Sequence, residues 1–371
     1  MSLFPDDDEY VRSEPSSRRA ERRGSSIGWL LITGAIAGSV VLGLLPSPYV
    51  IERPGPVFDT LGDVEVDSGD QPVIQISGAP TYPTEGELNL LTVSVSGSRE
   101  EPPSWIEVAT AWFQPSRAVV PIDSVYPDGQ TSEQADQESA AEMANSQQEA
   151  VAAAFEELDI AYQVVVDGVI DGAPADGVLE AGDQLLTANG VPIHGITDLR
   201  AVISENGTDR SLVLTVLRDG VQRVLTMTPV PASADDPTPI VGIQAGYVFP
   251  FDVTIHLDNV GGPSAGTMFA LGVYDKLTEG ALTGGTVFAG TGTIRADGTV
   301  GPIGGIRQKM YGALDAGATA FLAPASNCDE VTGHIPSGLS VYAIKTLDDA
   351  IDAVQTIGAG GSTSQLARCP A

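Results

Sequence analysis

The sequence predicts an α+β protein, α/β-like in its C-terminal part, with an N-terminal transmembrane helix and a β-rich module between them. Three observations carry this prediction. Residues 28–45 contain no charged residue, and an apolar run of about this length can span the core of a bilayer. Residues 160–230 show short apolar runs separated by Gly, Pro and Asn-Gly turns. From residue 240 to about 357, strand-like and helix-like patterns alternate, as in one α+β domain.

The composition excludes several classes of partner. The formal net charge is −31 over 371 residues. Nucleic acid is excluded because its phosphates require a basic patch. Adhesion to an anionic membrane surface is disfavoured for the same reason. The acidic excess is typical of a solvated, self-repelling surface.

The N-terminal segment predicts orientation in a membrane. Four arginines between residues 18 and 23 precede the uncharged run, and the acidic chain follows it. The positive-inside rule therefore predicts a cytoplasmic, disordered tail over 1–27, a single transmembrane helix over 28–47, and everything beyond outside the cell membrane. The alternative is a signal peptide cleaved near Ala35-Ile36-Ala37. Because the apolar run continues past that point to Leu45, an uncleaved anchor is favoured.

Residues 50–158 predict a membrane-proximal β and helical region. Apolar alternation predicts strands over 72–77 and 87–95, and a short helix over 105–113. Residues 130–158 are rich in Ala, Glu and Gln and contain neither Pro nor Gly, which predicts a long, mostly solvated helix.

The β-rich module extends over residues 159–231. It contains a Gly-Ala-Pro-Ala turn at 172–175, a Gly-Asp-to-Asn-Gly run at 182–190, and an amphipathic helix carrying Leu199, Val202 and Ile203. This pattern resembles a PDZ domain of the bacterial type. The resemblance implies peptide binding as an added strand beside a helix. The family's Gly-apolar-Gly loop is absent around 162–164, so a structural or gating role stays open.

Residues 231–239 predict a linker to the C-terminal domain at 240–358. Its predicted elements are, in order, strand 251–257, helix 264–278, strand 286–294, strand 299–303, helix 305–316, strands 319–323 and 340–344, and helix 346–357. A tail at 359–371 follows. Cys328 and Cys369 are the two cysteines, and outside the cell they often pair. Sequence alone does not show whether their Cα atoms come close enough.

Ser264 is the candidate nucleophile. It lies in Gly261-Gly262-Pro263-Ser264-Ala265-Gly266, where glycines and a proline end and an apolar helix begins. The first N–H groups of such a helix, those of Ser264 and Ala265, could hold the oxyanion of a tetrahedral intermediate. The alternative is that Ser264 is a helix N-cap.

Lys309 is the candidate general base. On a helix over 305–317 it falls on the flank of the apolar face formed by Ile306, Met310 and Ala313. A lysine there must reach out to water, pair, or lose its proton. The chain has only three lysines, and arginine cannot deprotonate, so a lysine kept on an inward flank indicates amine chemistry. Snorkelling to solvent is the alternative.

Other chemistries find less support. A Ser264–His256–Asp258 set is conceivable, but His256 alternates with apolar residues in a predicted strand. There is no His-Glu-x-x-His motif and no metal ligand set. No P-loop motif is present, so neither ATP nor another cofactor is expected.

Three motifs together resemble the proteolytic domain of Lon peptidases. They are Gly262-Pro263-Ser264-Ala265-Gly266, then Thr291-Gly292-Thr293-Ile294, then the run from Gly298 to Lys309. With the anchor and the PDZ-like module, the chain is similar to the YlbL-type membrane-anchored PDZ–Lon proteins. The resemblance implies that Ser264 is the nucleophile, Lys309 the base, and Thr291 a hydrogen-bond partner of the lysine. Many Lon domains carry an acidic residue where this chain has Gly261; Asp258 and Asn259 lie nearby but do not match that position.

The sequence therefore predicts an ATP-independent serine endopeptidase with a Ser-Lys dyad, acting on unfolded or flexible extracytoplasmic proteins or peptides. The PDZ module would present or gate the substrate. Lon domains generally form rings, which leaves a homo-oligomer open. The alternative is a membrane-tethered peptide-binding scaffold with an inactive Lon-like domain.

Overall fold

The computed structural model describes residues 21–66, 69–127, 129, 131–233, 236–257 and 260–370. The helices are, in chain order, α1 (Glu21–Leu44), α2 (Trp105–Ala111), α3 (Ile122–Val125), α4 (Ser132–Glu157), α5 (Ile196–Asn206), α6 (Gly266–Leu277), α7 (Ile306–Asp315), α8 (Cys328–Val331) and α9 (Leu347–Gly358). The strands are β1 (Tyr49–Asp59), β2 (Asp63–Val66), β3 (Gly69–Pro72), β4 (Ile74–Ser77), β5 (Glu87–Ser96), β6 (Ala118–Pro121), β7 (Gln163–Val169), β8 (Gln184–Ala188), β9 (Val191–Pro192), β10 (Leu212–Arg218), β11 (Val221–Met227), β12 (Val230–Pro231), β13 (Pro239–Ile240), β14 (Ile243–Val248), β15 (Asp252–Ile255), β16 (Val287–Gly290), β17 (Thr293–Ile294), β18 (Val300–Gly301), β19 (Ala320–Pro324) and β20 (Ser340–Ile344).

A six-stranded sheet with the order β20-β19-β16-β5-β1-β6 organises the larger unit. β5 pairs in parallel with β16 and antiparallel with β1. The sequence prediction assigned residues 50–158 to a separate membrane-proximal region. The sheet instead places strands from this region in the same layer as strands from the C-terminal domain. The physical reason is that Leu88, Leu90 and Leu91 of β5 are all buried, so both faces of the strand must be covered.

Helices cover both faces of this sheet. Successive residues of a strand point to opposite faces. In β16, Phe288 belongs to the core that contains α4, α6 and α9, whereas Ala289 belongs to the core that contains α7. Thus α6 packs on one face and α7 on the other.

Helix α4 is confirmed near its predicted bounds, but the prediction that it is mostly solvated is wrong for its second half. Ser132 to Glu142 are largely exposed, whereas every residue from Ala150 to Phe155 is at most 3% exposed. The run of alanines gives this half a smooth surface that can lie close to α6. Alanine both favours a helix and allows close packing against a neighbour. An alanine-rich composition therefore does not distinguish a solvated helix from a buried one.

The smaller, β-rich module has the strand order β11-β10-β8-β7-β14, with α5 packed beside it. The predicted Asn-Gly turn joins β8 to β9, and Asn189 and Gly190 both have positive φ, 49° and 81°. β14 comes from beyond the predicted linker and pairs antiparallel with β7. The sequence prediction had included residues 243–248 in the C-terminal domain.

The N-terminal helix α1 begins at Glu21, before the predicted start at residue 28, and ends at Leu44. The first 20 residues of the predicted tail lie outside the described residues. Among the helices described, none combines the length and the apolar character needed to cross a membrane.

The two cysteines form a disulfide. The Cα atoms of Cys328 and Cys369 lie 5.0 Å apart, within the range that a disulfide allows. The bond ties the C-terminal tail to α8. Beside it, the guanidinium of Arg368 lies 4.9 Å from the centre of the Tyr342 ring on β20. The sequence left open whether the two cysteines come close enough to pair. They do, because the C-terminal tail lies against the sheet at β20.

Candidate active site

Ser264 lies in the turn that leads into α6. Gly262, two residues earlier, has φ of +81°, which favours glycine. The helix starts at Gly266, two residues later than predicted, and its N-cap is Ala265 without a side-chain cap. The N-cap interpretation of Ser264 is therefore wrong. Its hydroxyl points instead to Lys309, whose Nζ lies 2.7 Å from Ser264 Oγ.

Lys309 reaches Ser264 from the opposite face of the sheet. It sits in the first turn of α7 and is only 2% exposed, so the snorkelling alternative is wrong. Burial lowers the pKa of the Lys309 ammonium to about 7 from its ordinary value of 10.5. Desolvation disfavours the charged form, so a large fraction of this amine is neutral at neutral pH.

Thr291 connects the two side chains. It follows β16, at the carboxyl end of a parallel strand. Its Oγ1 accepts a hydrogen bond from Lys309 Nζ at 2.9 Å and donates one to the Ser264 carbonyl oxygen at 3.0 Å. The next residue, Gly292, donates its N–H to the same carbonyl at 2.9 Å. The lysine and the backbone of the serine are thus fixed by one two-residue segment.

The predicted oxyanion donors lie at the same turn. Within the described part of the chain, neither the Ser264 N–H nor the Ala265 N–H donates to another residue. Both groups are consequently free to receive an acceptor. Their role stays a prediction.

A cavity of about 480 Å³ opens at this site. Ser264 and Lys309 line it together with Thr92 and Val93 of β5 and Met143 of α4. Sequence reasoning missed the contributions of β5 and α4. The apolar pattern of β5 predicted a strand, but no local signal shows which distant segment a strand will meet.

The other residues considered from the sequence do not join this cluster. His256 follows directly after β15, which pairs with β4. Its ring Nε2 lies 3.1 Å from Oε1 of Gln75, a residue of β4. Asp258 and Asn259 lie outside the described residues. Among the residues that the structure describes, no group of His, Cys, Asp and Glu side chains is arranged to hold a metal ion.

Comparison with protein families matches both parts of the chain. Residues 137–228 match the PDZ domain, and residues 242–356 match the Lon protease (S16) C-terminal proteolytic domain. The first match begins inside α4. The chain thus carries a PDZ domain and a Lon-type proteolytic domain, and the predictions of both are confirmed.

Curated relatives point the same way. The chain is 38% identical over 93 residues to Lon protease 1 of Sorangium cellulosum, covering 24% of this chain and 11% of that protein. It is 34% identical over 118 residues to Lon protease 2 of Herpetosiphon aurantiacus, covering 30% and 14%. Against Lon protease 2 of Bacillus subtilis it is 26% identical over 199 residues, covering 51% and 32%. The chain therefore spans only a minor part of each relative.

Among solved structures, the PDZ domain of an SdrC-like protein from Listeria monocytogenes is 20% identical. The matched region covers 22% of this chain and 86% of the Listeria chain, with a TM-score of 0.21. The family matches and the names of the curated relatives together support a Lon-type serine peptidase, as the sequence predicted.

Proposed function

We propose that the chain is an ATP-independent serine endopeptidase in which Lys309 activates Ser264. The observation that carries the proposal is the 2.7 Å contact between Lys309 Nζ and Ser264 Oγ, made by an amine that is almost completely buried. A general base works best when its pKa lies near the operating pH, and burial brings the pKa of Lys309 to about 7.

In the proposed reaction, the neutral Lys309 amine takes the proton of Ser264 as Oγ attacks a peptide carbonyl carbon. The oxyanion that forms accepts hydrogen bonds from the N–H groups of Ser264 and Ala265. The Lys309 ammonium then gives its proton to the leaving amine, and an ester to Ser264 remains. Lys309 then takes a proton from water as the water oxygen attacks the ester carbonyl carbon. The bond from that carbon to Ser264 Oγ breaks, the ammonium returns the proton to Oγ, and the carboxylic acid product leaves. Throughout, Thr291 accepts one N–H of Lys309 and so directs the amine's lone pair at Ser264.

The decisive test is cleavage of an unfolded protein by the full chain and its Ser264→Ala variant, without ATP. We expect cleavage by the wild type and none by the variant, while Ser364→Ala, an exposed serine in the tail, cleaves normally. Cleavage that persists in Ser264→Ala would assign the nucleophile elsewhere. An inert wild type would instead favour the peptide-binding scaffold.

Cavities along one side of α4 support an extended, flexible substrate. A second cavity of about 940 Å³ shares Met143 and Gly261 with the one at Ser264. A third, of about 630 Å³, shares Ala144 and Gln147 with the second and reaches Val248, at the end of β14. An unfolded segment could thus contact the PDZ domain and Ser264 together, so that the PDZ domain presents or gates it.

We further propose the arrangement of the YlbL-type proteins, with the catalytic domain outside the cell membrane and α1 as anchor. The sequence run 28–45 and the exposed apolar side chains Trp29, Leu30 and Leu31 of α1 support the anchor. The disulfide supports an oxidising compartment. Self-association into a homo-oligomer stays a prediction.

A further inference from the structure

A buried carboxylate joins the PDZ domain to the proteolytic domain. Glu149 lies on the inward face of α4 and is 1% exposed. Its Oε1 accepts hydrogen bonds from Thr197 N at 3.1 Å, Thr197 Oγ1 at 3.0 Å and Tyr247 Oη at 2.7 Å. Its Oε2 accepts one from Ala296 N at 2.7 Å. Thr197 is the second residue of α5, Tyr247 belongs to β14, and Ala296 lies in the proteolytic domain.

Neighbouring contacts make this junction tight. Arg295 forms an ion pair with Asp198 of α5. Gly195, just before α5, approaches so closely that a Cβ there would lie 2.7 Å from Ala296 Cβ and 3.0 Å from Glu149 Oε2. The backbone of Gly195 is extended, so glycine is needed for space and not for conformation.

The same helix also holds the turn that carries Ser264. Ser146, one turn before Glu149, donates to the Pro263 carbonyl at 2.9 Å. Closer to the N-terminus of α4, the Ser139 carbonyl accepts the Gly262 N–H at 2.9 Å. Two of the three residues before Ser264 are therefore hydrogen-bonded to α4.

The opposite side of the serine is tied to the same junction. Ala296 and Arg295 belong to the segment that continues from Thr291 and Gly292. Thr291 Oγ1 and the Gly292 N–H both donate hydrogen bonds to the Ser264 carbonyl. Glu149 thus bridges, through its hydrogen bonds, the two elements that hold Ser264 from either side.

We propose that Glu149 is a positioning residue through which the PDZ domain controls the placement of Ser264 against Lys309. The inference rests on the proposed peptidase function. A PDZ domain takes a peptide as an added strand at the edge of its sheet, beside a helix. Here the edge strand is β14, which pairs antiparallel with β7, and both β14 and the helix α5 bind Glu149 Oε1. The PDZ domain therefore acts on the reaction itself, in addition to holding substrate.

The test compares Glu149→Gln with Glu142→Gln in the full chain. Glu142 is exposed on the same helix and provides the same chemical change. In Glu149→Gln, the new side-chain amide would present a donor where one N–H or O–H group needs an acceptor. With a peptide too short to reach the PDZ domain, we expect kcat to fall on the order of tenfold with KM unchanged, because a small displacement of reacting groups suffices. A purely structural defect would leave the kcat of the folded fraction intact.

Amide hydrogen exchange supplies a readout that does not depend on activity. In Glu149→Gln we expect exchange of residues 194–199 and of residues 260–268 to rise about tenfold together, relative to Glu142→Gln. If exchange rises only at 194–199 and kcat is kept, the proposal is overturned. If the wild type lacks activity, the proposed function fails, but linked exchange of the two segments still decides the coupling.

Gly195→Ala provides a second variant should Glu149→Gln not fold. Its methyl group would separate α5 from Ala296 without removing the carboxylate. We expect the same linked rise in exchange and the same loss in kcat. Normal exchange at 260–268 together with an opened 194–199 segment would contradict the proposal in this variant too.

Discussion

At the residue scale, the candidate site depends on the burial of one amine. Lys309 has no carboxylate hydrogen-bonded to it in the described part of the chain; its partners there are the hydroxyls of Ser264 and Thr291. Hydroxyls stabilise an ammonium less than a carboxylate would. Burial therefore decides the pKa, which places the amine where it can both take and return a proton.

The first prediction concerns pH. Because the Lys309 pKa is about 7 and the neutral amine is the active form, kcat/KM should rise through pH 7 and level off above it. Between pH 6 and pH 8 the neutral fraction increases about tenfold for such a pKa. The measurement is cleavage of a short peptide across this range, with folding monitored at each pH. A flat profile would show that Lys309 does not titrate in the free enzyme.

The second prediction concerns stability. The unfolded chain holds the Lys309 proton up to the ordinary pKa of 10.5, whereas the folded chain holds it only below about 7. Protons thus favour the unfolded state between these values, and the loss of stability is complete below pH 7. Lys309→Met, similar in shape and without charge, should remove activity and raise the free energy of unfolding at pH 7, with an upper bound on the order of 5 kcal/mol.

Denaturant titration at pH 7 and at pH 10.5 measures this effect. The gain from Lys309→Met should shrink at the higher pH, where both states carry a neutral amine for much of the time. If Lys309→Met is less stable than the wild type at pH 7, burial does not disfavour the charged form of Lys309 as proposed.

At the element scale, local pattern predicted more than long-range pairing could. The helices expected over 264–278 and 305–316 are found at Gly266–Leu277 and Ile306–Asp315. The strand expected over 340–344 is β20, with the same bounds. Apolar periodicity encodes these elements within each segment. It does not encode that β5 pairs with β16, or that β14 crosses into the PDZ sheet.

Motif spacing predicted the central pair of the candidate site for a similar reason. The glycines around Ser264 and the inward flank of α7 are local features. The supporting residues of α4 are not, since Ser146 is separated from Pro263 by 117 positions along the chain. A serine in an Ala- and Glu-rich helix carries no sign of a distant partner.

The third prediction tests how closely α4 and α6 must approach. A Cβ at Gly266 would lie 2.8 Å from Ser146 Oγ and 2.9 Å from Ile294 Cγ2. Gly266→Ala should therefore displace the start of α6 and destabilise the fold by about 1–3 kcal/mol, as overpacking does. Peptide cleavage should fall by more than the unfolded fraction explains. Ser146→Ala removes the Oγ that the new methyl group would meet and keeps α4 free of a glycine, so the double variant should be more stable than Ser146→Ala and Gly266→Ala would give additively. Strictly additive losses would place the strain elsewhere.

At the scale of the whole molecule, neither domain is a continuous piece of chain. β1, β5 and β6 precede the PDZ domain, while β16, β19 and β20 follow it, and all six share one sheet. The PDZ sheet in turn takes β14 from beyond the linker. A linear division could not be read from composition, because these boundaries are set by pairing and not by a change in residue types. Removing residues 49–121 would take half of the strands from the larger sheet.

The last prediction joins the fold to the proposed compartment. Cys328 and Cys369 are 41 positions apart and bonded, and closing a loop of this size stabilises a fold by about 2–4 kcal/mol. Disulfides persist outside the cytoplasm and are rare within it. If the catalytic domain is exported, thiols trapped with an alkylating reagent in intact cells should show both cysteines oxidised. Cys328→Ser should expose Cys369 to the reagent and lower the midpoint of thermal unfolding. Two free thiols in the freshly trapped wild type would contradict the extracytoplasmic placement, while leaving the Ser264–Lys309 chemistry untouched.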